Sequence, residues 1–173
     1  MQFNEKTVKS NTIYRGKILT LKNDEVELFD GKKSYREIVE HSGGCCVLCE
    51  LNDKILFVEQ YRYAYRENVL ELPAGKINEG EDPKDTAIRE LSEEGGVIVD
   101  GVELMFECYP SPGYTSEKIY IYKAINPTLS KAHLDEGEFL STIWLDRKTI
   151  KEMIKNKKIK DGKTLIALLS YLK

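Results

Sequence analysis

The stretch LPAGKINEGEDPKDTAIRELSEEGGV, Leu72–Val97, decides how this chain is read. Asp82-Pro83 predicts a helix start, with an acid at the N-cap, proline at the first helical position and Asp85 in the first turn. Gly95-Gly96 predicts its end. With Glu90 set at about 0° on a helical wheel, Glu93 falls at about 300° and Glu94 at about 40°, so three carboxylates share one arc. Ala87, Leu91 and Ile88 lie beside that arc and form an apolar stripe that can hold the helix against a sheet. Such a face can be simply solvated. It is nevertheless self-repelling: Glu90 and Glu94 are like charges at i, i+4, and all three acids crowd the negative end of the helix dipole. Arg89 can pair with Glu93, but one cation does not neutralise three acids. A bound divalent cation reverses each of these costs. Carboxylates without nearby His or Cys select a hard cation, Mg2+ first and Mn2+ second.

Working outward, the N-terminal third reads as β. Lys17–Leu21, Glu25–Leu28 and Tyr35–Glu40 alternate, with a turn at Asp30-Gly31. Cys45–Leu51 and Ile55–Tyr61 predict a second hairpin about Asn52-Asp53, and Glu103–Cys108, Ile119–Ile125 and Phe139–Leu145 predict three more strands. Arg147–Lys155 and Lys163–Leu172 predict two further helices. This order predicts an α/β or α+β sandwich with a mixed sheet. A boundary near His41-Ser42-Gly43-Gly44 separates a β-rich N-terminal region, residues 1–41, from a main domain, residues 42–173.

The chain has 173 residues, 41% hydrophobic and 32% charged, a balance that excludes a disordered protein. No apolar run approaches the roughly 20 residues of a membrane span. The opening MQFNEKTVKSN lacks the pattern of a secretory leader, and the expectation is a cytoplasmic protein. With 26 Lys plus Arg against 29 Asp plus Glu, the net charge of −3 argues against nucleic-acid binding. The lysine-rich stretch Met153–Lys163 reads as a solvated helix and turn. Cys46-Val47-Leu48-Cys49 has the spacing of a redox or zinc pair, but it sits in an apolar run without a second pair. Neither His41 nor His133 is at finger spacing, so buried thiols in a reducing compartment are the better reading.

Gly75, Glu81 and Arg89-Glu90-Leu91-Ser92-Glu93-Glu94-Gly95-Gly96-Val97 match the signature of the Nudix hydrolases at every fixed position, and the chain resembles that family. The resemblance implies an α/β/α sandwich around a mixed sheet, with a small β-rich N-terminal appendage, and hydrolysis of a nucleoside diphosphate linked to another group. It extends beyond the signature to the ADP-ribose, or ADP-sugar, pyrophosphatase branch. The matching segments are Tyr14-Arg15-Gly16, Tyr35-Arg36-Glu37, Val58–Arg62, Leu70–Gly75, Pro110–Glu117 and Lys160–Thr164. Pro112 stands where ADP-ribose-type members are usually recognised.

By that resemblance the metal ligands are Glu90, Glu94, Glu93 and the Ala74 carbonyl, holding about two or three ions. Glu81 either supports the helix start or holds a metal through water. Arg36 and Arg62, which by themselves read rather as ordinary surface arginines, become by the resemblance diphosphate ligands through their planar forks. The turn containing Gly113 walls the sugar, with Glu117 aimed at the metal cluster or the terminal ribose. Acids already on metal are poor bases, so a free carboxylate is expected from elsewhere. A similar loop carries the catalytic glutamate in the ADP-ribose branch, and the resemblance therefore implies Asp135-Glu136-Gly137-Glu138, with Glu138 as the base and Glu136 as its substitute. In residues alone that loop is an acidic turn.

The expected reaction is Mg2+-dependent cleavage of ADP-ribose to AMP and ribose 5-phosphate. The resemblance also implies a homodimer in which the N-terminal region of one copy walls the other's site, with adenine stacked on Tyr14 or Phe29. The alternatives are another nucleotide sugar such as GDP-mannose, or a sensor that binds ADP-ribose without cutting it.

Overall fold

The computed structural model describes residues 3–134, 137 and 139–173. The chain divides into two compact units, one made of residues 1–43 and 109–118, the other of residues 44–108 and 119–173.

The first unit holds β1 (Lys6–Lys9), β2 (Thr12–Arg15), β3 (Leu19–Glu27) and β4 (Lys33–His41). Strand β3 is central. It pairs antiparallel with β4 along its whole length, while β1 and β2 share its other edge through residues 25–27 and 20–22. Tyr14 and Phe29, the two aromatic candidates, are both exposed. Among the described residues of this unit Val26 alone is a buried apolar side chain, whereas Phe3, Ile13, Tyr14, Ile18, Phe29 and Tyr35 stand exposed.

The second unit holds β5 (Gly44–Leu48), β6 (Glu50–Leu51), β7 (Lys54–Arg62), β8 (Glu67–Glu71), β9 (Ala74–Lys76), α1 (Pro83–Gly95), β10 (Val97–Ile98), β11 (Gly101–Cys108), β12 (Ile119–Ile125), β13 (Thr128–Leu129), β14 (Leu140–Asp146), α2 (Arg147–Lys155) and α3 (Gly162–Tyr171). One sheet runs β11-β12-β5-β9 and is mixed, because β12 and β5 are parallel while the outer pairs are antiparallel. A second sheet is built on β7, flanked by β14 on one edge and by β6 and β8 on the other.

Every residue of β5 is buried, as a strand covered on both faces requires. Its alternation assigns the faces. Cys45 and Val47 pack with Ala87 and Leu91 of α1, whereas Cys46 and Leu48 pack with Ile150, Ala167 and Leu168 of α2 and α3. The result is helix, sheet and helix in three layers. Burying a side chain such as Leu91 stabilises this arrangement by about 1.5–3 kcal/mol.

The predicted hairpin about Asn52-Asp53 is present, both turn residues having positive φ, but it is shorter than expected. Only Glu50–Leu51 turns back on β7, while Gly44–Leu48 enters the mixed sheet. The thiols of Cys45 and Cys49 are pushed up to about 12 by burial, and that of Cys46 is raised for the same reason. They are core residues. In Met153–Lys163, expected to be solvated, Lys155, Lys157, Lys158 and Lys160 are exposed. Ile159, however, is buried in the core, Met153 and Ile154 pack against it, and Lys163 is mostly buried in an ion pair. Among the described residues no helix is long and apolar enough to cross a membrane.

Candidate functional site

Helix α1 starts as its sequence dictates. The Asp82 side chain accepts the Lys84 N–H at 2.8 Å, and Pro83 occupies the first turn. It ends at Gly96, whose left-handed backbone (φ 60°) directs its N–H to the Leu91 and Ser92 carbonyls. Strand β9, paired to β5 at Cys46↔Ala74 and Cys45↔Gly75, runs against this helix. Two contacts tie them. The Ala74 N–H donates to Glu94 Oε2 at 2.9 Å, and Glu94 is only 4% exposed. The Glu90 carboxylate fills the space that a side chain at Gly75 would take: a Cβ there would meet Glu90 Cδ and Oε1 at 1.9 Å. Gly75 is therefore required for the Glu90 carboxylate to sit where it does.

The charge crowding of the acidic face is relieved in part by Arg89. Its Nε and Nη2 donate to the two Glu81 oxygens at 2.8 and 3.1 Å, and Nη1 lies 2.8 Å from both Glu93 Oε2 and Glu90 Oε1. The hydrogen bond from Arg89 holds the Glu81 carboxyl down at about 2, and the same contact raises Arg89 itself. Glu81 also accepts the Asn78 N–H at 3.1 Å, anchoring the approach to the helix. Among the described residues no three carboxylate, His or Cys side chains converge as a finished cage, since Arg89 stands between Glu81, Glu90 and Glu93. The donor set is all oxygen, and the Gly75 cradle keeps the Glu90 carboxylate beside the Ala74 peptide. These residues fit a hard divalent cation.

A second polar group lies at the ends of β7 and β8. Arg62 Nε and Nη2 donate to Glu71 Oε1 and Oε2 at 2.5 and 2.7 Å, and Lys163 Nζ donates to Glu71 Oε2 at 2.5 Å. Lys163 also reaches Asp161 Oδ1 at 3.0 Å, and Asp161 caps α3 by accepting the Thr164 N–H. Burial pushes the Glu71 carboxyl up, but Arg62 and Lys163 more than offset this and leave it lowered. These side chains line a pocket of about 210 Å³ with Tyr65, Val69 and Lys160. Sequence reasoning singled out Arg62 and overlooked Glu71 and Lys163. A signal was present: Glu71 is an acid within the otherwise apolar run Val69-Leu70-Glu71-Leu72.

Other expected residues belong to the first unit. Arg36 spends its fork on Glu5, with Nε and Nη2 at 2.9 and 2.5 Å from its oxygens, and Nη1 donates to Ser34 Oγ and the Tyr35 carbonyl. The Gly113 turn closes through the Tyr114 and Thr115 N–H groups on the Ser111 carbonyl, and a Cβ at Gly113 would meet open space. The following residues are zipped to the end of β4: Val39 N–H donates to the Tyr114 carbonyl at 2.8 Å and Ser116 N–H to the Val39 carbonyl at 2.9 Å. Glu117 Oε1 lies 3.6 Å from His41 Nδ1. Phe29 packs edge-on against Phe3, while the Tyr14 ring covers Gly16. Glu136 and Glu138 lie outside the described residues.

A family model described as NUDIX domain matches residues 40–168. One described as nucleoside diphosphate sugar hydrolase N-terminal domain matches residues 5–39. The methanol dehydrogenase activator of Bacillus methanolicus is 42% identical over 169 residues, covering 96% of this chain and 91% of that protein. The ADP-ribose pyrophosphatase of Bacillus subtilis strain 168 is 35% identical over 167 residues, covering 95% and 90%. The crystal structure of an ADP compounds hydrolase superposes with a TM-score of 0.82 at 19% identity over 95% of this chain and 90% of its own, a likeness of fold.

Proposed function

The chain belongs to the Nudix family, and from that premise we propose that it hydrolyses the pyrophosphate bond of ADP-ribose, adding water to release AMP and ribose 5-phosphate. Family membership implies a divalent-cation-dependent mechanism in general. The observation that carries the reading is the seating of the Glu90 carboxylate in the space left by Gly75, beside the peptide of Ala74 that binds Glu94.

In this reading Ala74, through its carbonyl, and Glu90, Glu93 and Glu94 hold about two or three Mg2+ ions, with Mn2+ as substitute. When bound, such cations would polarise phosphoryl oxygens and ease the loss of a proton from the attacking water near neutral pH. Arg62 donates to the diphosphate and offsets the charge that develops there. Glu138 accepts the proton of the attacking water, with Glu136 as substitute. Arg36, Gly113 and Glu117 contact the substrate.

The N-terminal region, residues 1–41, serves in dimerisation and in walling the substrate, and residues 42–173 form the hydrolase domain. The exposed apolar side chains of the first unit support a homodimer; light scattering that finds a monomer at micromolar concentration refutes it. Free buried cysteines support a cytoplasmic location.

The deciding experiment is product analysis after incubation with ADP-ribose and Mg2+, beside an EDTA control and a GDP-mannose sample. AMP and ribose 5-phosphate that form only with metal support the reading. Turnover of GDP-mannose alone keeps the hydrolase and discards the substrate. Binding of ADP-ribose without turnover makes the chain a sensor. The 42% identity to a methanol dehydrogenase activator favours a second reading, in which the chain acts on a methanol dehydrogenase. A faster methanol oxidation rate on adding the purified chain supports it, and an unchanged rate discards it.

A further inference from the structure

Arg62 makes an unusual choice of partner. In the β7–β8 ladder it stands directly across from Glu67, yet its guanidinium is not bound there. Lys160 holds both oxygens of Glu67, at 2.8 and 2.9 Å. Arg62 instead lies back along the sheet past Val69, since Arg62, Gln60 and Val58 share one face with Glu67, Val69 and Glu71. It reaches Glu71, whose cross-strand neighbour is Val58. Glu71 is 2% exposed, and its two oxygens take three donors, two from Arg62 and one from Lys163. Lys163 is in turn fixed by Asp161 at the start of α3, where Thr164 Oγ1 accepts the Leu72 N–H at 2.9 Å. A carboxylate is thus pinned from both sides inside the protein.

Burying such a group is rarely the cheapest way to stabilise a fold, because an apolar replacement of the same volume often does as well or better. What the arrangement does supply is geometry. The bidentate contact through Nε and Nη2 sets the plane of the guanidinium and leaves Nη1 outside both bonds, on a side chain still 39% exposed.

We propose that Glu71, tethered by Lys163, is a positioning residue that holds the Arg62 guanidinium with Nη1 directed to a phosphoryl oxygen of the substrate. Without Glu71 the arginine is free to swing toward solvent or to compete for Glu67, and the donor is no longer aimed. Glu71 itself touches no substrate. This role rests on the reading of Arg62 as a diphosphate contact.

The test is a double-mutant cycle on kcat/KM for ADP-ribose with Mg2+, using Arg62→Ala, Glu71→Gln and the pair, each checked for folding by thermal melting. Arg62→Ala is expected to lower kcat/KM by about 10²–10³-fold, the usual loss for a donor to developing charge. Glu71→Gln is expected to lower it by about 10–100-fold through misplacement of the donor. In the Arg62→Ala background the same change is expected to cost less than about twofold, because nothing remains to be aimed. Equal losses in both backgrounds overturn the proposal, since a merely structural carboxylate acts whether or not the arginine is there. Should Glu71→Gln fail to fold, Glu71→Asp keeps the charge balance, draws the carboxylate back by one methylene and serves in the same cycle. A wild-type chain that cleaves ADP-ribose while Arg62→Ala cleaves it equally well removes the arginine contact and this role, and leaves the hydrolase standing. A wild-type chain inactive on nucleotide sugars removes the reading and the role together.

Discussion

Substituting alanine at Gly75 adds one methyl group at the point where α1 and β9 meet. Gly75 lies within an extended strand, so alanine brings no backbone strain of its own. The new Cβ would sit 1.9 Å from Glu90 Cδ and Oε1, whereas ordinary contact begins at 3.4 Å. The carboxylate must therefore retreat by about 1.5 Å. It is the end of a flexible side chain, and moving it into a less favourable rotamer costs about 0.5–1.5 kcal/mol. For a chain of this size that lowers Tm by only about 1–6 °C. Catalysis is less tolerant: a displacement of about 1 Å in a positioned group can cost 10²-fold in rate. The expected variant is folded, melts close to the wild type and loses about two orders of magnitude in kcat/KM for ADP-ribose. Release of AMP with Mg2+ measures the activity and a circular-dichroism melt measures the fold. A Gly75→Ala protein with wild-type kcat/KM would show that the seating of Glu90 has no part in the reaction.

Three further outcomes are expected. Glu94→Gln keeps the hydrogen bond from the Ala74 N–H but loses the charge, so turnover falls by orders of magnitude with the fold intact; an active, folded variant means the metal ligands are wrongly assigned. Gly95→Ala places a Cβ 2.6 Å from Leu56 Cδ2 in the core, and the resulting overpacking costs about 1–3 kcal/mol in urea unfolding, whereas an unchanged midpoint refutes the tight contact. Cys45 and Cys49, pushed up to about 12, become thiolates only as pH climbs toward that value, and Cys46 is raised likewise, so at pH 8 the native protein should show at most one fast-reacting thiol, Cys108. Reaction of two or more thiols before denaturation would contradict the buried core.

The sequence by itself determined the elements whose causes are local. Helix α1 was legible from Asp82, Pro83 and the glycines at its end, because capping and backbone freedom act within a few residues. Its two faces followed from the helical period, and the β-rich start from alternation. The short strands β8 and β9 were not legible, since they exist through their pairing with β7 and β5. Nor was the split of the predicted hairpin, with Gly44–Leu48 paired to β12 from far along the chain. At the site, the carboxylates and Arg62 could be named in advance because charge crowding and the family signature are patterns in sequence. Tertiary structure alone decided their partners. Arg89 gathers Glu81, Glu90 and Glu93, Glu94 turns inward to the Ala74 peptide, and Arg62 passes over Glu67 for Glu71. The physical reason is that an ion pair is chosen by distance and burial, and both arise only when strands and helices distant in sequence pack together.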